Sequence, residues 1–138
     1  MKALLHQASY FSWQAENQTL LFKDTEPQPM HGEVTEALVA WLQIEAHDND
    51  NHTKSLRKIA KQIKWCAKKR QLNKIVLHSF AHLGGTKSNP EYAQGFLCDL
   101  EARLMENGYQ VQQTPFGWSC SWKLNTYGNS TAKIFVSF

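Results

Sequence analysis

Hydrophobic positions along this chain of 138 residues switch between a period of two, a period near 3.6 and short continuous runs, and each regime predicts a different element. Ile75-Val76-Leu77 is a continuous apolar run behind a basic polar segment, the pattern of a short strand buried on both faces. It continues through His78-Ser79-Phe80-Ala81-His82-Leu83 into Gly84-Gly85, where the backbone can turn freely. Helical patterns lie on either side. Residues 53–70 place Leu56, Ile59, Ala60, Ile63 and Ala67 on one stripe, with Thr53 an acceptable N-cap. Residues 90–106 place Ala93, Phe96, Leu97, Leu100 and Leu104 on another; Asn89 is a good N-cap, Pro90 takes the first helical position and Gly108 serves as C-cap.

The ends of the chain read as β. Residues 2–13 and 19–23 form a hairpin pattern with Glu16-Asn17-Gln18 at the turn, and residues 23–32, with Pro27, Pro29 and Gly32, an irregular connection. Residues 33–46 are ambiguous. Val34, Ala37, Leu38, Trp41 and Leu42 fall at helical spacing, so periodicity leans to helix, yet the run from Leu38 to Leu42 equally fits a buried strand. The polar residues 47–52 predict a loop; they lack the glycine and closing glutamate of a calcium loop, so no metal is expected there. Residues 109–114 alternate and Pro115 breaks the pattern. Phe116, Trp118, Cys120, Trp122 and Leu124 then alternate with Gly117, Ser119, Ser121 and Lys123, the clearest strand signal in the chain. A turn at residues 126–129 leads to a last strand over 132–138. No repeat or linker divides the chain, so residues 1–138 are expected to form one module.

Composition narrows the class. With 42% apolar and 12% aromatic residues the chain can build a real core, and no apolar run is long enough to span a bilayer. The first residues lack the apolar region of a secretory signal, and Cys66, Cys98 and Cys120 have no zinc-like spacing, which together favour a reduced, cytoplasmic protein. The net charge of +3 hides an asymmetry: nine Lys or Arg and no acid lie between Lys54 and Lys74, against six basic and twelve acidic residues elsewhere. On the helix at 53–70, Lys54, Lys58, Lys61 and Lys68 oppose the apolar stripe together with Trp65. Such a face is either simply solvated or a landing site for a polyanion, and the lack of interleaved acids for i,i+4 pairs tips the balance slightly to the second. The indole could stack on a base; it could also cover lysine stems or a partner subunit.

Candidate chemistry is sparse. There is no P-loop, GxSxG, HExxH or CxxC. His78 and His82 sit where a buried strand enters a glycine loop, a common ligand site in α/β proteins, although satisfied core or rim imidazoles are the plainer reading. A Cys120–His82 nucleophile pair is disfavoured, because Cys120 shares a strand face with Trp118 and Trp122, an environment that raises a thiol pKa.

The segments Ser79-Phe80-Ala81-His82-Leu83 and Thr114-Pro115-Phe116-Gly117-Trp118 resemble two motifs of the N-terminal editing domain of archaeal-type threonyl-tRNA synthetases, a domain in the fold group of the D-tyrosyl-tRNA deacylases. The likeness takes in Met1-Lys2-Ala3-Leu4-Leu5, Tyr10, Ala37-Leu38-Val39-Ala40-Trp41, Ile44-Glu45 and the helix from Pro90, and covers nearly the whole chain. It implies an α/β fold, a compact mixed β-sheet or partial barrel with two amphipathic helices, and makes residues 37–45 a strand. It also implies hydrolysis of mischarged, above all seryl, tRNA. Ile44 and Glu45 would lie beside the terminal adenosine, and His82, Ala81, Ala93 and Phe116 around the aminoacyl group. Residues Pro115 to Gly117 would present backbone to the ester. The family usually carries a lysine at the place of Cys120, a tyrosine at Ser119 and often an acid near Ala132-Lys133, whereas Lys123 matches a family lysine. The cation that would read the substrate is therefore missing at Cys120.

The resulting expectation is an editing module acting in trans on the aminoacylated 3′ end of tRNA, without cofactor or metal, since 138 residues leave no room for an aminoacylation or anticodon-binding domain. The basic helix with Trp65 would contact the acceptor stem. A second copy of the chain and a synthetase are the other partners to consider; no membrane is. The competing expectation is a degenerate relative that binds a nucleotide, an RNA 3′ end or a protein without chemistry.

Overall fold

The computed structural model describes residues 1–19 and 29–138. In chain order the elements are β1 (Lys2–Gln18), β2 (His31–Gln43), α1 (Ala46–Asp50), α2 (His52–Lys68), β3 (Lys74–Ser79), α3 (Pro90–Glu106), β4 (Gln110–Gln113), β5 (Trp118–Thr126) and β6 (Lys133–Ser137), with a 3-10 turn, Ser130–Ala132, before β6. The strands make one mixed sheet in the order β4-β3-β2-β1-β5. β1 and β2 are antiparallel, from Lys2 opposite Gln43 to Gln14 opposite His31. Along its other edge β1 is shared, its first residues pairing with β6 and the rest with β5. β2, β3 and β4 run parallel, with α2 and α3 as the crossovers that parallel pairing requires.

Both helices lie on one face. Ile59, Ile63, Phe96 and Leu100 pack there with Leu5, Leu38, Leu42, Ile75 and Leu77. The other face carries a second core of Phe11, Trp13, Val39, Trp41 and Val76, with neither α2 nor α3 in it. Curvature of the sheet covers this core. Trp122 of β5 lies 5.8 Å from the Trp41 ring and 5.1 Å from the His78 ring, although β5 and β3 are not neighbours in the sheet. An irregularity helps bend it: Ser9 and Glu36 drop out of the β1–β2 ladder, Glu36 at φ 51°, and the β5 register shifts beside Ser9. Ala8 and Phe11, three apart, consequently face the same core, as do Val34 and Ala37. The expected α/β class and partial barrel are what the chain forms.

Several local expectations change. Residues 2–18 are one strand, and Glu16-Asn17-Gln18 are not a turn: Asn17 and Gln18 pair with Ser119 and Trp118, so this polar triplet is an exposed strand end. Of the expected second hairpin arm, residues 20–23 lie outside the described residues, as do 24–28 of the irregular connection, while His31 and Gly32 already belong to β2. Residues 33–43 are strand, against the periodicity and with the family resemblance; buried on both faces from Ala37 to Gln43, β2 has no polar alternation left to show there. Residues 47–50, expected as loop, are helical. Asp48, fully buried, accepts from the Glu45 amide at 2.8 Å in a capping box and from Ser55 Oγ at 2.6 Å, which ties α1 to α2. The cap of α2 is Asn51 instead of Thr53. α3 keeps its expected bounds: Asn89 Oδ1 accepts from the Glu91 and Tyr92 amides, and Asn107 caps the end ahead of Gly108.

Candidate functional site

The site begins where β3 leaves the sheet. Residues 78–82 form one wall of a cavity of about 230 Å³; residues 116–120 with Trp122 form the other, and Thr19 lies at its edge. The two walls are far apart in sequence and meet only because the sheet curls.

The first wall hangs from the end of β2. The Phe80 amide donates to Leu42 O at 2.9 Å, and the Ser88 amide to Ile44 O at 3.1 Å. Between them Gln43, 2% exposed, uses its whole side chain: Oε1 accepts from the Leu83 amide at 2.6 Å, and Nε2 donates to the carbonyls of Gly84 and Thr86. Gly85, at φ 72°, passes so close to Glu45 that a Cβ would overlap its carboxylate. The second wall turns at Gly117, φ 82°, with the Trp118 amide 3.4 Å from Pro115 O, as in a turn that needs glycine third. The Gly117 carbonyl accepts from both the amide (2.7 Å) and the hydroxyl (2.9 Å) of Thr19, which fixes this bend to the end of β1.

Of the residues singled out in the sequence, Ala81, His82, Phe116, Gly117 and Cys120 line this cavity, and Pro115, buried, precedes its second wall. Burial, helped by the nearby Glu16 carboxylate, pushes the Cys120 thiol up, so it is no activated thiolate. Lys123 lies elsewhere. Its odd spacing from Cys120 puts it on the other side of β5, in an open groove of about 620 Å³ with Ser12, His31 and Glu33. Ile44 and Ala93 are buried in the core under the helices. Glu45, 3% exposed, bonds the Met1 ammonium at 2.7 Å and Lys2 Nζ at 2.8 Å. Burial pushes its pKa up, but these hydrogen bonds and charges outweigh that and hold it at about 2. Lys54, Lys58, Lys61, Trp65 and Lys68 are exposed along α2, and Lys69 Nζ sits 5.3 Å from the Trp65 ring. Because α2 follows directly on β2 and α1, its first turn lies at the cavity end of the sheet.

Sequence reasoning missed Gln43 and Thr19, and quoted Thr114 only as the first residue of its motif, with no role of its own. Only Gln43 gave a signal, as the polar residue that ends an apolar run from Leu38 to Leu42. Among the described residues no group of three or more His, Cys, Asp or Glu could hold a metal ion, and no helix is long and apolar enough to cross a membrane.

A model of the archaea-specific editing domain of threonyl-tRNA synthetase matches residues 1–138. The chain belongs to that family. Among relatives of this editing domain, the threonine–tRNA ligase of Methanosphaera stadtmanae is 31% identical over 134 residues, 97% of this chain and 22% of the ligase. That of Methanocaldococcus jannaschii is also 31% identical over 134 residues, 97% of this chain and 21% of the ligase. The chain thus spans about a fifth of the length of these ligases. Among solved structures, the c-Myc DNA Unwinding Element Binding Protein superposes with a TM-score of 0.62 at 15% identity, over 100% of this chain and 99% of that one. That likeness shows the fold, which is D-tyrosyl-tRNA deacylase-like.

Proposed function

We propose that this editing domain hydrolyses the ester between a wrong amino acid and the 3′ end of tRNA, with serine on threonine tRNA as the substrate. The observation that carries the reading is the convergence of residues 78–82 and 116–120 on one cavity, the two segments that the family resemblance assigns to the aminoacyl group. The chemistry explains the need. Serine is threonine less one methyl, worth only roughly 1–3 kcal/mol of discrimination, so a second, hydrolytic site is required.

In this reading the acyl group enters between His82 and Phe116, with Ala81, Pro115 and Cys120 around it and the adenosine toward Ile44 and Glu45; Ala93, assigned to the acyl group by the resemblance, lies behind the cavity in the core. Water attacks the carbonyl carbon, the ester C–O bond breaks, and the ribose oxygen leaves with a proton taken from that water. No carboxylate, lysine or arginine lines the cavity among the described residues, so backbone donors near Gly117 and a ribose hydroxyl of the tRNA position the water. The protein's part is orientation and stabilisation of the developing oxyanion. Lys54, Lys58, Lys61 and Lys68, with Trp65, meet phosphates of the acceptor stem, and Lys123 lies apart from the chemistry.

Purified protein is assayed with seryl-tRNA(Thr) and a panel of other mischarged tRNAs. Cleavage of seryl-tRNA(Thr) well above the buffer rate is the expected result; no ester cleaved faster than in buffer refutes the proposal. The uncharged, aromatic lining favours one second reading, capture of an RNA 3′ end without turnover. Calorimetry with a non-hydrolysable 3′-seryl-amino adenosine beside the hydrolysis assay separates the two.

A further inference from the structure

One polar side chain in the cavity has no part in this reading. His78 lines the cavity yet is only 4% exposed, with the Trp122 ring edge-on at 5.1 Å and the Phe80 ring at 6.3 Å. Its Nδ1 lies 2.6 Å from Oγ1 of Thr114, itself 5% exposed.

The direction of that hydrogen bond can be deduced. A threonine hydroxyl has one hydrogen, and when buried it needs an acceptor. Among the described residues the only partner of the Thr114 hydroxyl is His78 Nδ1. With the hydroxyl as the donor to Nδ1, the ring proton sits on Nε2. Burial pulls the His78 pKa down to about 4, so at neutral pH the ring carries this single proton and no charge. Among the described residues, the buried side-chain nitrogens without a partner are those of His6, Trp13 and Trp41. His78 Nε2 is not one of them and bonds no described residue, and the ring lines the cavity.

We propose that His78 Nε2–H, its tautomer set by Thr114, is a neutral hydrogen-bond donor to the carbonyl oxygen of an acyl group bound in this cavity. This role rests on the preceding reading that an ester enters here. His78 keeps its proton throughout and transfers none. Its dipole is already aimed, in a site walled by rings, where oxyanion charge gathers as water attacks. A neutral imidazole serves this purpose without the cost of burying a cation. His78 then touches the reacting oxygen, and Thr114 is a positioning residue.

Long-range 1H–15N correlation spectra of histidine-labelled protein test the tautomer. The expected result is His78 as Nε2–H at pH 7, still neutral at pH 5, with Thr114→Val losing the single tautomer. Finding Nδ1–H in the wild type overturns the proposal. The 3′-seryl-amino adenosine should then shift the Nε2–H resonance; an unmoved resonance at saturating analogue also overturns it. In hydrolysis His78→Phe should lower kcat about 10²-fold with a much smaller change in KM, and His78→Gln, which keeps a donor, should recover part of the loss. A His78→Phe enzyme within twofold of wild type removes the donor while leaving the hydrolytic reading intact. Analogue binding that shifts Nε2–H without any ester cleavage keeps the donor and removes the hydrolysis. If His78→Phe does not fold, His78→Gln and the wild-type spectra still decide.

Discussion

Acid reads two buried residues in different windows. Folding lowers the His78 pKa from 6.5 to about 4, so the unfolded imidazole takes up a proton that the folded one refuses. Stability should therefore fall as pH drops from 6.5 towards 4, by up to about 3 kcal/mol, and His78→Phe should flatten that stretch of the urea-midpoint profile. Glu45 acts lower down. Its folded pKa of about 2 lies below the ordinary carboxylate value, so its contribution is present above pH 4.5 and is lost as pH falls towards 2; Glu45→Gln should remove the dependence there. Gln43 offers a test that needs no proton. Gln43→Leu leaves groups of Leu83, Gly84 and Thr86 without their partner and should cost roughly 1–3 kcal/mol in urea unfolding, with faster amide exchange in residues 83–86. His82, Phe116 and Gly117 were visible in the sequence because their motifs are contiguous. The bonds of Thr114 to His78 and of Gln43 to Leu83 were not, since each crosses more than thirty residues of chain.

Among the elements, α3 was fully legible: a capping Asn89, Pro90 at the first helical position and a regular apolar stripe agree with one another. Asn89→Ala should cost about 1 kcal/mol of stability, measured by thermal or urea unfolding. β2 was misread from its own residues because burial on both faces erases the period by which strands are recognised. α2 was read correctly in its stripe, and its outer face supports a further test. Replacing Lys58, Lys61 and Lys68 with Gln should weaken tRNA binding and reduce the slope of log affinity against log salt by about one for each phosphate no longer neutralised, with folding unchanged. A slope that does not move would take the helix out of the RNA interface.

At the scale of the whole molecule, the strand order and the shared edge of β1 were beyond sequence reading, because they depend on pairings such as Lys2 with Ser137 and Ala37 with Lys74. The alternation in β5 was clear, but not that its apolar face would close the curl, leaving Trp122 40% exposed over Trp41. Trp41 holds the helix-free core together, and Trp41→Ala should cost roughly 3–5 kcal/mol in chemical denaturation. The two sides of the cavity are tethered independently, residues 78–88 to the tail of β2 and the Gly117 bend to Thr19. On the proposed reading, selectivity can accordingly be retuned on one jaw while the other keeps its shape, so exchanges at Ser119 or Cys120 should alter what is gripped without unseating His82.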